Sequence, residues 1–266
     1  MKALAALALG LALPAAAFAA PKPAPGVKKA EKKKKEAPAP PAAKPDSGSA
    51  MVQYAPSTAA ITVPLVLERF EDFDRRMTAL TAKFRQTVRL DESGSVQNVE
   101  GEVEFLKPSR LRLERLRPER QTIVSDGSLL WAYNRDNNQV IKTSLSEWKK
   151  SEPLAQGLLD FGNYGGLIKR YDVAVSTVGA ADRDGHRRFE LRLKPRDKTA
   201  EFLLDLILST RDFFPYEARM KVGQISISSR FDAVRLNPGL EEARFRFTPP
   251  AGTDVFENFP SAKATP

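Results

Sequence analysis

Apolar and polar residues alternate with a period of two along the middle of this chain, a pattern typical of half-buried antiparallel strands. Over residues 99–105, two valines, a glycine and Phe105 fall on one face, and three glutamates fall on the other. The alternation then resumes, with Leu111 and Leu113 on one face and Arg112 on the opposite face. The pattern predicts a β-meander with one apolar face and one charged face.

Turn residues divide this region into hairpins. Asp126 and Gly127 separate two β-rich runs, 121–125 and 129–133, and glycine readily adopts the positive φ that a tight hairpin turn needs. The second half of the chain has a similar spacing of strands and turns. Such regular strands favour a large antiparallel sheet curled into a barrel or half-barrel. The strands predicted there are 171–178, 187–194, 201–209, 215–222 and 224–234.

A helix precedes the sheet. Pro64 suits the first turn of a helix, and apolar residues then follow at intervals of three and four. Near Ala82 the period changes to two, so the helix gives way to a strand. The apolar stripe is typical of a packing surface, although a helix lying across an open sheet could also close a cavity. The stripe consists of Phe70, Phe73, Met77, Leu80 and Phe84.

The segment 146–170 breaks the β pattern. Pro153 opens a short run with leucines and Phe161 at helical offsets, and glycines interrupt the run before Leu167. Short helices joined by glycines suit a movable lid, because such segments have low local stability. An ordinary connecting loop would show the same composition.

Residues 1–19 have the layout of a cleavable secretory signal peptide, with Lys2, an apolar run and a small-residue ending that fits an A-x-A cleavage site. This layout predicts a periplasmic protein. The alternative is an uncleaved anchor, for which the apolar run is short and interrupted by Pro14. Residues 20–63 are rich in Pro, Ala and Lys and predict a disordered linker. The remaining predicted boundaries are a folded domain at 64–260 and a tail at 261–266.

The positive charge of the chain is concentrated in this linker. The linker carries eight lysines against three acidic residues, a net +5 of the formal +9, and residues 64–266 keep only +3. It could bind anionic lipid head groups or cell-wall polymer loosely, or it could be a solvated spacer. An exported domain without a basic and aromatic face is not expected to bind nucleic acid.

Residues suited to catalysis or to metal binding are scarce. The chain has no cysteine and one histidine, His186, which lies beside a predicted turn and is more typical of a surface residue than of a catalyst. The sequence shows no catalytic triad, no phosphate-binding loop and no zinc ligand set. We therefore expect a non-enzymatic protein with no cofactor and no metal site, because a hydrolase would depend on His186 alone.

Arginine is dense in one short stretch of the predicted meander. This cluster could dock an acidic partner or a lipid head group, although a solvated face is the simpler interpretation. The five residues are Arg110, Arg112, Arg115, Arg117 and Arg120.

Several motifs, taken in order, resemble the periplasmic outer-membrane lipoprotein carrier (LolA-type) family. The similarity spans roughly 67–258 and includes F-R-Q-T-V at 84–88, where a helix passes into a strand. It continues with the strand end at 101–108, the S-D-G and L-W-x-Y hairpin at 125–133, and the closing segment F-R-F-T-P-P-x-G-T-D-V at 245–255. Their common order carries the resemblance.

The resemblance implies an incomplete antiparallel β-barrel whose concave apolar face is covered by helices. It implies a monomeric periplasmic carrier that binds the acyl chains of lipoproteins. It also implies two protein partners, an inner-membrane ABC-type lipoprotein release complex and an outer-membrane acceptor lipoprotein. The alternative function is a periplasmic lipid-sensing or regulatory binding protein with a related half-barrel.

The expected site is a lipid-binding floor with a lid. The resemblance implies that Lys107, the basic residue before Pro108, contacts the lid and tunes its opening. Family members commonly have arginine there, and lysine offers a point charge instead of a planar fork of donors. Trp131 could alternatively belong to the core. The predicted lipid-binding residues are Val103, Phe105, Leu111, Leu113 and Trp131 in the floor, with Leu158, Phe161 and Leu167 in the lid.

Overall fold

The computed structural model describes residues 54–57, 59–151, 171–196 and 202–257. Within these ranges the protein is mainly β, with one twelve-stranded sheet. None of the helices described there is long and apolar enough to cross a membrane. The helices are α1 (Val63–Arg76), α2 (Leu145–Ser151) and a 3₁₀ helix (Glu242–Phe245). The strands are β1 (Ala79–Leu90), β2 (Val96–Leu106), β3 (Arg110–Arg117), β4 (Gln121–Asp126), β5 (Leu129–Asn134), β6 (Gln139–Ser144), β7 (Tyr171–Val178), β8 (Arg188–Pro195), β9 (Phe202–Ser209), β10 (Pro215–Val222), β11 (Ile225–Leu236) and β12 (Asp254–Glu257).

The sheet consists of two antiparallel meanders, β1–β6 and β7–β11, in which strands adjacent in sequence pair with each other. The meanders join where β1 pairs with β11, so the strand order is β12-β6-β5-β4-β3-β2-β1-β11-β10-β9-β8-β7. β12 adds in parallel to β6 and forms one edge, and β7 forms the other. The sheet is therefore open, which confirms the predicted incomplete antiparallel barrel.

The observed strands agree with the strand pattern read from the sequence. The predicted strands 171–178 and 215–222 coincide with β7 and β10. The predicted turn at Asp126 and Gly127 joins β4 to β5, and Gly127 has φ 101°. The Asp126 carboxylate accepts hydrogen bonds from the backbone N–H groups of residues 128 and 129, each at 2.8 Å. Local turn chemistry thus fixes the register of this hairpin.

The ends of α1 have local causes. The Thr62 hydroxyl accepts a hydrogen bond from the backbone N–H of Leu65 at 3.4 Å, and Pro64 lies in the first turn. The helix ends before Met77, whose φ of −78° and ψ of 118° are extended. The end of the predicted apolar stripe therefore lies on β1, where its side chains still join the core under α1. These stripe residues on the strand are Leu80 and Phe84.

The chain immediately before α1 packs on the domain. The Tyr54 hydroxyl donates a hydrogen bond to Asp72 Oδ2 at 2.7 Å, and the Tyr54 backbone N–H donates to the carbonyl of Arg211 at 2.7 Å. The Tyr54 ring packs edge-on against Phe213, with centroids 5.4 Å apart. The prediction of a disordered linker over 20–63 was therefore wrong at its C-terminal end, where Tyr54 packs against Phe213. The predicted signal peptide, most of the linker and the C-terminal tail lie outside the described residues.

The connection between β6 and β7 links the two edges of the sheet. β6 lies beside the edge strand β12, and β7 is the other edge strand. Its described beginning is α2, whose Leu145 and Trp148 are buried in the core under α1. Residues 152–170 complete the connection and lie outside the described residues. In the strand order of the described sheet, nine strands therefore lie between β6 and β7.

The C-terminal segment packs on the charged face of the first meander. Arg244 Nε donates to Glu104 Oε2 at 2.9 Å, and the side chains of Arg110 and Glu242 form an ion pair at 3.0 Å. Phe245 is fully buried in the 3₁₀ helix, which contacts β3 and β4, and the segment then ends in β12. The C-terminal segment therefore covers part of the face opposite α1 with both ion pairs and a buried aromatic ring.

Close packing of β1, β2 and β3 requires glycine at position 101. A Cβ on Gly101 would lie 2.2 Å from the carbonyl oxygen of Glu114 and 2.6 Å from Phe84 Cζ. We expect Gly101→Ala to lower the free energy of unfolding by about 1–3 kcal/mol, because the strand backbone must shift to admit the methyl group. The midpoint of urea unfolding measures this change.

Gly239→Ala is the matched control. A Cβ at Gly239 would meet no atom within 4 Å, so its free energy of unfolding should stay within about 0.5 kcal/mol of wild type. A Gly101→Ala midpoint equal to that of the control would contradict the packing argument.

Candidate functional site

The face of the first meander that lies under α1 is apolar across several strands. Val103 lies opposite Leu113, which in turn lies opposite Ile123, and Phe105 and Leu111 form the next row. Side chains on one face of paired strands are in contact range. The four predicted floor residues on β2 and β3 therefore lie together on one surface, as the alternation predicted. We call these four residues the floor.

The floor is covered in this structure. Val66, Phe70 and Phe73 of α1 are fully buried in the same core, and so is Trp148 of α2. The floor residues are only 0–1 % exposed. An apolar ligand therefore reaches the floor only if a covering element moves.

Trp131 lies on the opposite face of the sheet, so its assignment to the floor was wrong. It alternates with Leu130 and Ala132, which belong to the core under α1, and it pairs with Val124 across the strands. Its half-buried ring packs against Phe247 of the C-terminal segment, with centroids 6.5 Å apart. Because β5 has apolar residues on both faces, alternation alone could not orient it.

Lys107 contacts the C-terminal end of α1. Its Nζ donates a hydrogen bond to the backbone carbonyl of Asp74. The backbone N–H of Thr78, four residues further on, donates instead to Asn237 Oδ1 at 2.7 Å. Burial lowers the pKa of Lys107, and the nearby carboxylate of Asp74 opposes this shift. Lys107 therefore satisfies a carbonyl in the last turn of the helix that covers the floor.

The predicted lid residues, Leu158, Phe161 and Leu167, lie outside the described residues, as does any contact between them and Lys107. The beginning of the same connection supplies a covering residue that sequence analysis missed, Trp148 on α2. A single tryptophan in a helix this short produces no repeating pattern that could have indicated its burial.

The second meander supplies the rest of the apolar face, and the floor prediction omitted it. Phe189, Leu191 and Leu193 of β8 are fully buried, and their alternation with charged residues was a usable signal. Phe213 and Phe214 are also buried, but they lie in the turn between β9 and β10, where Phe213 has φ 57°. Aromatic residues in a turn follow no period, so sequence alone did not place them.

His186 is buried, at 8 % exposed, which contradicts the expected surface position. It lies beside the predicted turn, as expected, and its backbone N–H donates to Asp182 Oδ1 at 2.8 Å. This turn packs close to the N-terminal segment, since a Cβ on Gly185 would lie 3.2 Å from Pro56. The described part of the chain contains no group of three or more His, Cys, Asp or Glu side chains that could hold a metal ion.

The charged face of the sheet carries a groove of about 350 Å³ beside β10. Asp205 in its wall pairs with Arg192 at 2.8 Å, and Lys221 pairs with Asp91 at 3.3 Å. The groove lies on the face opposite the floor and away from the covering helices, so we do not assign acyl chains to it.

The five clustered arginines divide between the two faces of the sheet. Arg110 and Arg112 pair with acidic residues on the charged face. Arg115 instead lies on the face under α1 and is 5 % exposed. Burial lowers the pKa of Arg115 to about 10, and Glu119 nearby opposes the shift. These arginines are therefore neither one solvated face nor one docking surface.

The chain matches the family described as "Outer membrane lipoprotein carrier protein LolA" over residues 75–248, more than half its length. It belongs to this family. The outer-membrane lipoprotein carrier protein of Alkalilimnicola ehrlichii is 30 % identical over 184 residues, which cover 68 % of this chain and 78 % of the relative. That of Xanthomonas oryzae pv. oryzae is 32 % identical over 190 residues, covering 71 % and 86 %.

Solved structures include a similar chain, an uncharacterized conserved protein from Thermus thermophilus. The likeness covers 73 % of this chain and 98 % of that chain, with a TM-score of 0.44 and 16 % sequence identity.

The contact between Lys107 and α1 leads to a prediction about helix opening. Lys107→Met removes the donor to the Asp74 carbonyl, and we expect local opening of the last turn of α1 to become easier by about 1 kcal/mol. Hydrogen exchange of the backbone amides at the end of α1 should accelerate accordingly.

Lys107→Arg keeps a donor at the same place, so exchange should stay near the wild-type rate. Lys83→Met, which removes an exposed ion pair with Glu102 at 3.5 Å, controls for loss of charge. Unchanged exchange in Lys107→Met would show that the hydrogen bond does not hold the helix end.

Proposed function

We propose that this protein is a periplasmic carrier that holds the acyl chains of lipoproteins against its helix-covered apolar face and moves them from the inner to the outer membrane. The observation that carries the proposal is the floor itself, a continuous apolar surface on β2 and β3 beneath α1. Membership of the lipoprotein carrier family supports the same class of ligand.

The energetics of acyl burial limit how such a carrier can bind. Each buried CH₂ group contributes about 0.8 kcal/mol, so three fully enclosed chains would contribute tens of kcal/mol. Non-covalent affinities do not exceed about −20 kcal/mol, and a carrier must also release its cargo. The ligand is therefore covered only in part, and the free energy of opening the protein offsets much of the gain from binding.

The floor is closed in this structure, so opening is a required step in loading. We infer that α1, α2 and the connection that follows α2 are the covering elements. The C-terminal part of α1 is held by two hydrogen bonds, from Lys107 to the Asp74 carbonyl and from Tyr54 to the Asp72 carboxylate. The connection carries the predicted lid residues and joins opposite sides of the sheet.

Two partners follow from the proposed transport. A carrier that stays closed at rest needs a donor that favours its open state and an acceptor that takes the cargo from it. We infer that the donor is an inner-membrane ABC-type lipoprotein release complex and that the acceptor is an outer-membrane lipoprotein. Family membership favours this carrier role over a lipid-sensing or regulatory protein.

Extraction of a triacylated lipopeptide from liposomes tests the proposal. Wild-type full-length protein should solubilise the lipopeptide, and Leu111→Glu should reduce extraction roughly tenfold or more, because burying an unpaired carboxylate costs more than the about 1.4 kcal/mol that a tenfold change represents. Extraction is measured as lipopeptide that remains in solution after the liposomes are pelleted.

Leu116→Glu is the matched control, since Leu116 lies on the same strand and is 52 % exposed. It should extract like wild type. A photoreactive acyl chain on the lipopeptide should also label β2, β3 and α1 in the wild-type protein. Equal loss in the two variants, or labelling confined to the charged face, would overturn the assignment of the floor.

A further inference from the structure

One row of the face under α1 is polar. Arg115, Gln121 and Asn134 lie opposite one another on β3, β4 and β5, next to the row that contains Leu113. All three side chains are at most 5 % exposed. The floor therefore ends on one side at a buried polar row. We call Arg115, Gln121 and Asn134 the polar rim.

The face under α1 contains two buried amide oxygens that accept no hydrogen bond from the described residues. Gln121 Oε1 is buried and has no hydrogen-bond partner among the described residues. Gln86, on the same face of β1, donates to Ser229 Oγ at 2.9 Å, and its own Oε1 is likewise buried without a partner in the described ranges. Buried amide groups normally pair fully. Two such atoms on one face point to a ligand that itself carries hydrogen-bonding groups.

Arg115 gives the polar rim its charge. An arginine is rarely buried to this degree, because removing a guanidinium from water is costly. Its planar fork presents several N–H donors, which suit carbonyl and other oxygen acceptors. Arg115 also lies only two residues from Leu113 on the same strand face, so one ligand can contact both the apolar floor and the guanidinium.

We propose that the polar rim binds the ester and amide linkages that join the acyl chains of a lipoprotein to its N-terminal residue. The acyl chains lie on the floor, Arg115 donates hydrogen bonds to ester carbonyl oxygens, and Gln121 accepts one from the amide N–H. This inference rests on the proposed carrier function and adds the orientation of the cargo.

The chemistry of the ligand matches the order of residues along the face. An acylated lipoprotein terminus has long hydrocarbon chains that end at a compact group of carbonyls and an amide, and the face changes from Leu111 and Leu113 to Arg115 within four residues. A purely hydrocarbon ligand would offer no hydrogen-bond donor to Gln121 Oε1. The arrangement therefore fixes which end of the cargo lies at the rim.

A pair of matched probes tests the proposal with the full chain. One is a triacylated lipopeptide with two ester-linked chains, and the other is its ether-linked analogue, which has the same chain lengths and lacks the two ester carbonyls. Wild-type protein should bind the ester probe roughly tenfold more tightly, a difference of about 1.4 kcal/mol. Arg115→Met should remove this preference, and fluorescence titration measures all four affinities.

The four affinities form a cycle that separates direct contact from indirect effects. Equal weakening of both probes by Arg115→Met would mean that Arg115 acts only through the fold, and would overturn the inference. Arg117→Met, at an exposed position on the same strand, should keep the preference. Wild-type protein that binds neither probe would instead overturn the proposed carrier function.

The test does not depend on the stability of one variant. If Arg115→Met fails to fold, the ratio of the wild-type affinities for the ester and ether probes still tests the inference. A ratio near one contradicts it. Ester- and ether-linked phosphatidylglycerol form a second pair of probes. A preference for ester linkages confined to this phospholipid pair would assign the rim to a phospholipid, and would overturn the inference for lipoproteins.

Discussion

The structure depends on covering one apolar face of an open sheet. Because the sheet does not close into a barrel, its own strands cannot exclude water from the floor, and helices must do so. α1 supplies phenylalanines from one side, and α2 adds Trp148 at the start of the long connection. A surface that needs an apolar cover also suits a lipid, because an acyl chain can take the place of the helices on the floor.

The attachments of α1 define how that cover can open. Tyr54 holds the helix to the turn that contains Phe213, and Lys107 holds its C-terminal end. Lys107 contributes a polar bond, and Tyr54 combines a hydrogen bond with the packing of its ring on Phe213. In the proposed carrier, a partner that competes for these contacts would shift the equilibrium towards an open form without disturbing the sheet.

Strand periodicity and turn residues were sufficient to predict the sheet, because each strand of the first meander carries its own alternation. The same signal located Val103, Phe105, Leu111 and Leu113. It failed for Trp131, whose strand is apolar on both faces, and for Trp148 and Phe214, whose burial depends on tertiary contacts. Arg115 was grouped with its charged neighbours in sequence, although the same alternation places it on the face of Leu111 and Leu113.

The pairing between β1 and β11 has a consequence for biogenesis. These strands begin at residues 79 and 225. The backbone groups on one edge of the twelve-residue β1 therefore stay unpaired until a strand almost 150 residues later has been synthesised. Contacts this distant in sequence form slowly, and open strands readily join other chains. A chain threaded N-terminus first through a translocation channel would thus need protection from aggregation until its final portion emerges.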